Sequence, residues 1–313
     1  MKTTFGRNKS LRAKNIQYKK LTADDNYRLP VFSIPNKMKL KILFLSALTI
    51  LIATTSMAQD LADEVDLFMG VHGNSNCVIG PQLPHGSVNP SPDTPKGGQN
   101  GYDESDKIRG FSQLHVSGIG WSRYGQILLS PQNGFSAKET GHDSPKANEI
   151  AKPYRYAVTL TRYGIRTELS PTHHGVFYRF TFNKPNNNNI LLDLRHNIPQ
   201  DIVPIVKGTF NGGEINYNEK QRLISGYGIY AGGFGSKQPY RVYFAMKIDD
   251  PDATVTITNN DTKALYAKIG VKAKTVNAII AISMSSVRNA TKYLEVELED
   301  HSFEQVCDAA RKQ

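Results

Sequence analysis

"YRYAVTLTRYGIRTELSPTHHGVFYRFTF", residues 154–182, reads as three β-strands separated by two turns. Branched and aromatic residues alternate with polar ones through "YRYAVTLTR" (154–162), "GIRTELSPT" (164–172) and "GVFYRFTF" (175–182). A period of two puts one set on a buried face and the other toward solvent. Tyr163-Gly164 supplies the first turn. Outward from this stretch the pattern recurs at Phe111–Val116, Gln126–Ser130, 189–195, 213–218, 240–248, 253–258 and 275–286. The Asn186–Asn189 run marks another turn, and "GIYAGGFGSK" (228–237) reads as a glycine-rich loop. Many strands with closely spaced turn signals predict an all-β fold, a large antiparallel β-sandwich.

Helical periodicity appears only at the C-terminus. Asp300 or Ser302 caps a helix that carries Phe303, Val306 and Ala310 on one face. The division expected is a sandwich over 59–298 and a short linker helix beginning at 299–313. A chain that stops inside such a helix reads as the first part of something longer. On that expectation Phe303, Val306 and the loop around Trp121 form an exposed apolar face awaiting a partner.

The net charge of +10 suggests a nucleic-acid binder until its distribution is followed. Residues 1–58 hold 11 basic and 2 acidic side chains, which leaves 27 basic and 26 acidic ones from Gln59 onward. The basic signal belongs to the leader, so nucleic acid is rejected as a partner. Within the leader, Met38–Lys41 is a short positive segment, Ile42–Ala53 an apolar run, and Ser56-Met57-Ala58 a small-residue cleavage site. Residues 38–58 therefore read as a signal peptide, and 1–37 as an extension upstream of the true start. The apolar run is short for a membrane span. The expectation is an exported protein, periplasmic or secreted, with no membrane contact after cleavage. Cys77 and Cys307 alone form neither a disulfide framework nor a zinc site, and their pairing stays open.

"GFSQLHVSGIGWSRYG" (110–125) holds the chain's one tryptophan. Alternation assigns Leu114 and Val116 to the core and turns Gln113 and His115 away from it. Two readings are open. Trp121 and His115 form one wall of a sugar pocket, an indole against pyranose C–H groups with polar tips reaching hydroxyls. Alternatively, they are ordinary core. His72, His85, His115, His173 and His174 show no zinc spacing. "DESD" (103–106) lacks the pattern of an EF-hand loop and fits a solvated acidic turn. Glycoside hydrolysis needs two carboxylates flanking the bond. Asp93, Asp103, Glu104, Asp106, Glu168 and Asp193 are present, but the sequence pairs none of them, and Glu168 and Asp193 fit outward-facing charges. No catalytic residue and no metal ligand is assigned.

An ordered set of short motifs carries a resemblance. It runs from Val65–Gly70 through Gly73-Asn74, Pro84-His85-Gly86, Ser91-Pro92-Asp93-Thr94, Gly101-Tyr102, Gly110-Phe111-Ser112, His115–Gly118 and Tyr124-Gly125 to "YGIRTELSPT", "NILLDLRH" and "PYRVYFAMKI". The set resembles the N-terminal domain of glycoside hydrolase family 92, the exo-acting α-mannosidases. It departs from the family's pattern at 95–100, Gln113 and Trp121. The resemblance implies a galactose-mutarotase-like supersandwich followed by a helical-barrel domain, with the active site between them. It further implies an inverting, calcium-assisted reaction on an α-mannoside glycan, of α-1,2 type on N-glycan or mannan. The acid and base carboxylates then belong to the helical barrel, as does the calcium dependence of the full-length enzyme. His115, Trp121, Asn74, Asp93 and Tyr102 become the substrate-binding residues expected in this chain. A truncated, inactive fragment of such an enzyme is the leading expectation, and a free-standing carbohydrate-binding sandwich the alternative.

Overall fold

The computed structural model describes residues 61–71, 77–97, 100–118, 124–198, 208–232, 238–260 and 264–313, omitting the side chain of Asn260. The signal segment 38–58, the extension 1–37, Asn74 and Trp121 lie outside the described residues. The strands in chain order are β1 (Ser91–Asp93), β2 (Gly110–Ser112), β3 (Leu128–Asn133), β4 (Lys146–Lys152), β5 (Arg155–Leu160), β6 (Ile165–Pro171) and β7 (Gly175–Phe182). They continue with β8 (Asn188–Asp193), β9 (Thr209–Asn218), β10 (Leu223–Ala231), β11 (Tyr240–Ile248), β12 (Thr254–Asn260), β13 (Ala264–Val271) and β14 (Thr275–Ser283). All pairings are antiparallel. One sheet has the order β1-β2-β3-β8-β13-β12, the other β4-β5-β6-β7-β14-β11-β10-β9. This is the all-β sandwich that the patterning predicts.

The period of two explains how the layers meet. Val176, Tyr178 and Phe180 of β7 enter the core between the sheets, whereas Phe177 points to the opposite face. Phe111 of the smaller sheet meets Tyr156 and Tyr178 of the larger, with ring centroids 6.3 and 6.4 Å apart. Such tilted contacts are favoured between aromatic rings.

Four strands escape the sequence reading, each for a local reason. β1 is three residues long with a proline in its middle. β4 is a polar edge strand, broken by a register shift between Ala147 and Ile150, with Asn148 at φ +51°. β13 alternates buried and half-buried residues, but its small, polar and glycine positions (Ala264, Ala267, Lys268, Gly270) thin the apolar signal. In β10, glycines disguise a strand. A Cβ at Gly228 would lie 2.2 Å from the Tyr230 hydroxyl, so the bare backbone makes room for that buried ring. The loop expected at 228–237 is corrected accordingly: residues 228–231 are strand.

The C-terminal end also corrects an expectation. α1 (Val287–Leu294) precedes a π-helical turn (Glu295–Glu299) and α2 (Phe303–Arg311). Ser302 caps α2 in a full capping box with Gln305. Leu294, Leu298, Phe303 and Val306 pack on Phe177, Leu223, Ala245 and Ile279, on the outer face of the larger sheet. Phe303 and Val306 are each only 3% exposed, so the apolar face expected to await a partner is covered by the chain itself. Phe177 of β7 with Ile279 and Ala281 of β14 make the middle of that face apolar enough to receive the helices. Glu297 reinforces the seat, its carboxylate lying 2.6 Å from His174 Nδ1 and accepting from the His174 amide at 3.0 Å.

Glu168 and Asp193 are corrected too: neither is a solvated outward charge. Glu168 is 7% exposed and bridges Arg155 and Arg179, and Asp193 is 5% exposed and paired with Arg195. Cys77 and Cys307 are both free thiols. No helix among the described residues is long and apolar enough to cross a membrane.

Candidate functional site

β2 ends at Ser112, and the alternation expected through Val116 ends with it. Gln113 is fully buried, donating to the Phe111 and Ile127 carbonyls and accepting from the Tyr178 hydroxyl at 3.1 Å. His115 is buried as well, 1% exposed. Its Nδ1 lies 2.8 Å from the Asn89 carbonyl and its Nε2 lies 2.8 Å from Asp93 Oδ1. The Asn89 amide returns a bond to the His115 carbonyl at 2.9 Å. The register Asp93↔Gly110 and Ser91↔Ser112 brings these distant segments side by side.

Asp93 is the buried centre of a larger network that reaches out to the exposed Glu139. Its second oxygen lies 3.2 Å from His196 Nε2, and His196 Nδ1 lies 3.4 Å from Glu139 Oε1. These are ion-pair distances without hydrogen-bond alignment, since Asp93 Oδ2 and both His196 nitrogens have no aligned partner. Glu139 also meets Arg109 at 3.0 Å, and Arg109 forks onto Asp143 at 2.9 and 3.2 Å. Burial alone would raise the Asp93 pKa, but the two histidines hold it well below the usual carboxylate range. Burial would likewise lower His196, yet its two carboxylate neighbours raise it to about 9. The result is a charge chain at one end of the smaller sheet, with its groups fixed before any ligand arrives.

Gly101 closes over this hub. It has φ +96°, and a Cβ there would lie 2.7 Å from Asp93 Oδ1 and 3.0 Å from the His115 ring. Only glycine tolerates both that backbone and that approach. The next residue, Tyr102, is 6% exposed and donates to both carboxylate oxygens of Glu149 at 2.9 Å. Lys146 stands over its ring, 3.9 Å from the centroid. Burial and the facing Glu149 push the Tyr102 phenol up. Its hydroxyl is therefore an internal anchor of the 94–106 segment.

Of the expected substrate-binding residues, the structure unites His115 and Asp93 in direct contact and places Tyr102 one residue from the glycine that covers them. Asn74 and Trp121 are outside the described residues. His196, Glu139, His142 and Arg109 were missed. The usable signal for His196 was its position just after "NILLDLR", a stretch whose strand β8 is buried along its whole length.

Among the described residues no group of three or more His, Cys, Asp or Glu side chains is placed to hold a metal. In the 103–106 turn, Asp103 Oδ1 accepts from the Ser105 amide and hydroxyl, and Asp106 accepts from the Lys96 and Lys107 amides. Those oxygens do not converge on a cation, so the residues present do not fit calcium.

The sequence profile of the glycosyl hydrolase family 92 N-terminal domain matches residues 64–291. Among solved structures, a family GH92 alpha-mannosidase from Bacteroides thetaiotaomicron superposes with a TM-score of 0.70 at 24% identity, covering 81% of this chain and 36% of that one. A family GH92 inverting mannosidase from the same organism gives 0.65 at 22%, covering 82% and 36%. The chain thus spans about a third of the length of these solved relatives. No curated protein matches the sequence. With the profile covering most of the sandwich and its strands in the expected order, the chain belongs to glycosyl hydrolase family 92, as its N-terminal domain.

Proposed function

We propose that this chain is the sugar-facing N-terminal part of an exported, calcium-dependent, inverting α-mannosidase of α-1,2 type, acting on N-glycan or mannan. One observation carries the division of labour. The buried carboxylates described are already matched: Asp93 by His115 and His196, Glu168 by Arg155 and Arg179, Asp193 by Arg195. An inverting glycosidase needs one protonated acid and one base separated by room for a water. Carboxylates held as ion pairs by fixed cations serve neither role well. The acid, the base and the calcium site are accordingly assigned to a second, helical domain, and the Asp93 hub to holding the loops that face it. His115 and Asp93 then act beneath the sugar wall rather than on the glycosidic bond, with Trp121 and Asn74 as the contacting side chains.

The test is to incubate the chain, with calcium, on an aryl α-mannoside. No turnover is expected, and steady turnover abolished by Asp93→Asn would overturn the reading. Export is tested separately, by mass spectrometry of the secreted product for a new N-terminus at Gln59.

A free-standing carbohydrate-binding module is the second reading, favoured by the burial of Phe303 and Val306 against the chain's own sheet. Calorimetry against mannobiose separates the two. Half a pocket binds at millimolar strength or weaker, because affinity depends on burying most of the ligand. Tight binding by the chain alone supports the module.

A further inference from the structure

On the outer face of the smaller sheet, a cleft of about 300 Å³ opens between the start of β3, the end of β8 and the 134–143 segment. Leu128, Glu139, His142, Asp193, Arg195 and His196 line it. That volume lies at the small end of ligand pockets, the size of one sugar ring.

His142 gives the cleft its chemistry. It is 1% exposed, and its Nδ1 lies 2.8 Å from the Arg109 carbonyl and 3.2 Å from Ser130 Oγ. A carbonyl oxygen only accepts, so Nδ1 carries the proton. Burial lowers the ring's pKa from its ordinary 6.5, which favours the neutral form. Nε2 is then a bare lone pair, buried and without a partner. A buried acceptor left without a donor is costly, and such atoms mark where a ligand or water belongs.

The charged groups beside His142 meet one another, although His196 has no aligned hydrogen-bond partner and Lys138, which also lines the cleft, is exposed. Arg195 meets Asp193 at 2.6 Å and donates to the Ala137 carbonyl at 2.8 Å. Glu139 meets Arg109 at 3.0 Å and His196 at 3.4 Å. An anion would face the His142 lone pair, and a cation would face Arg195 and His196. A neutral hydroxyl donor is what the cleft lacks. At its edge, Tyr266 lies under the Arg195 guanidinium, 5.1 Å from centroid to carbon, and Phe135 lies 6.1 Å from Tyr266. Half-buried aromatic faces beside hydrogen-bonding groups suit the C–H surface of a pyranose.

We propose that this cleft is a second sugar-binding site, distinct from the loops near His115, which takes one neutral hexose unit through a hydroxyl donated to His142 Nε2. It rests on the carbohydrate reading above only for the choice of probe.

The experiment is a long-range nitrogen–proton spectrum of the histidine rings in the full chain, titrated with D-mannose and, as a small polyol control, glycerol. Mannose is expected to shift His142 Nε2 saturably, while glycerol moves it far less. His142→Gln should weaken the response of the neighbouring Asp193 and Arg195 amides about tenfold in Kd, the loss of one good hydrogen bond. A mannose response at His115 without one at His142 overturns the cleft and leaves the proposed function standing. A response at His142 alone supports the cleft whatever becomes of that function. If His142→Gln does not fold, the ring spectrum of the unaltered chain still decides.

Discussion

Asp93 Oδ1 and His115 Nε2 lie 2.8 Å apart with both side chains completely buried, joining β1 to the segment after β2. The same carboxylate faces His196 at 3.2 Å, so removing it strips a buried cation of its counter-charge and His115 of its acceptor. Asp93→Ala should therefore destabilise the domain by about 3–5 kcal/mol. Urea unfolding followed by tryptophan fluorescence measures it, and a change below about 1 kcal/mol would mean the contact is not formed.

His196 sets a pH dependence. Its pKa rises from 6.5 to about 9 in the folded chain, so its contribution is fully present below pH 6.5 and is lost as pH climbs through about 9. The unfolding free energy measured by urea titration should fall between pH 6.5 and 9.5 by an amount on the order of 2–3 kcal/mol. His196→Gln should flatten that slope, whatever it does to absolute stability.

Gly101→Ala places a methyl group against Asp93 and His115 in a backbone conformation that alanine avoids. A loss of at least about 1–3 kcal/mol is expected. Because Tyr102 follows directly, the variant should also disturb the Tyr102–Glu149 bond, seen as a red-shifted or quenched tyrosine signal. A fully stable variant would show that the hub is looser than its distances imply.

Phe177 and Phe303 meet edge to face, with centroids 5.9 Å apart. Phe303→Ala should cost about 3–5 kcal/mol and release α2 from the sheet. Hydrogen exchange then reports it, with amides of residues 303–311 losing protection before those of β7 and β14. Equal protection in both variants would place the stability of α2 elsewhere.

These expectations differ in how far they could be read from the chain alone. A helix cap, expected at Asp300 or Ser302 and found at Ser302, and the strands of 154–182 are local properties, set by a hydroxyl three residues from an amide and by alternation over eight residues. Both were legible. The strand β10 was not, because its glycines carry no pattern. Their reason lies in the neighbours: the Tyr230 ring fills the space a side chain at Gly228 would occupy, and the Glu214 backbone the space at Gly226. At the candidate site, Asp93 and His115 were each picked out singly, whereas His196 and Glu139 gave no comparable signal.

What the sequence determined by itself was the all-β class, the family of the domain and the face of α2 that would be apolar. Each follows from residue order within a few positions, where periodicity and capping act. Tertiary structure alone decided that α2 covers its own sheet, and that Asp93, Glu139 and His196 share one charge chain although 46 and 103 residues separate the latter two from Asp93. Strand register brings such groups within a few ångströms of one another. Burial then strengthens their interaction, and neither quantity is written in any local pattern.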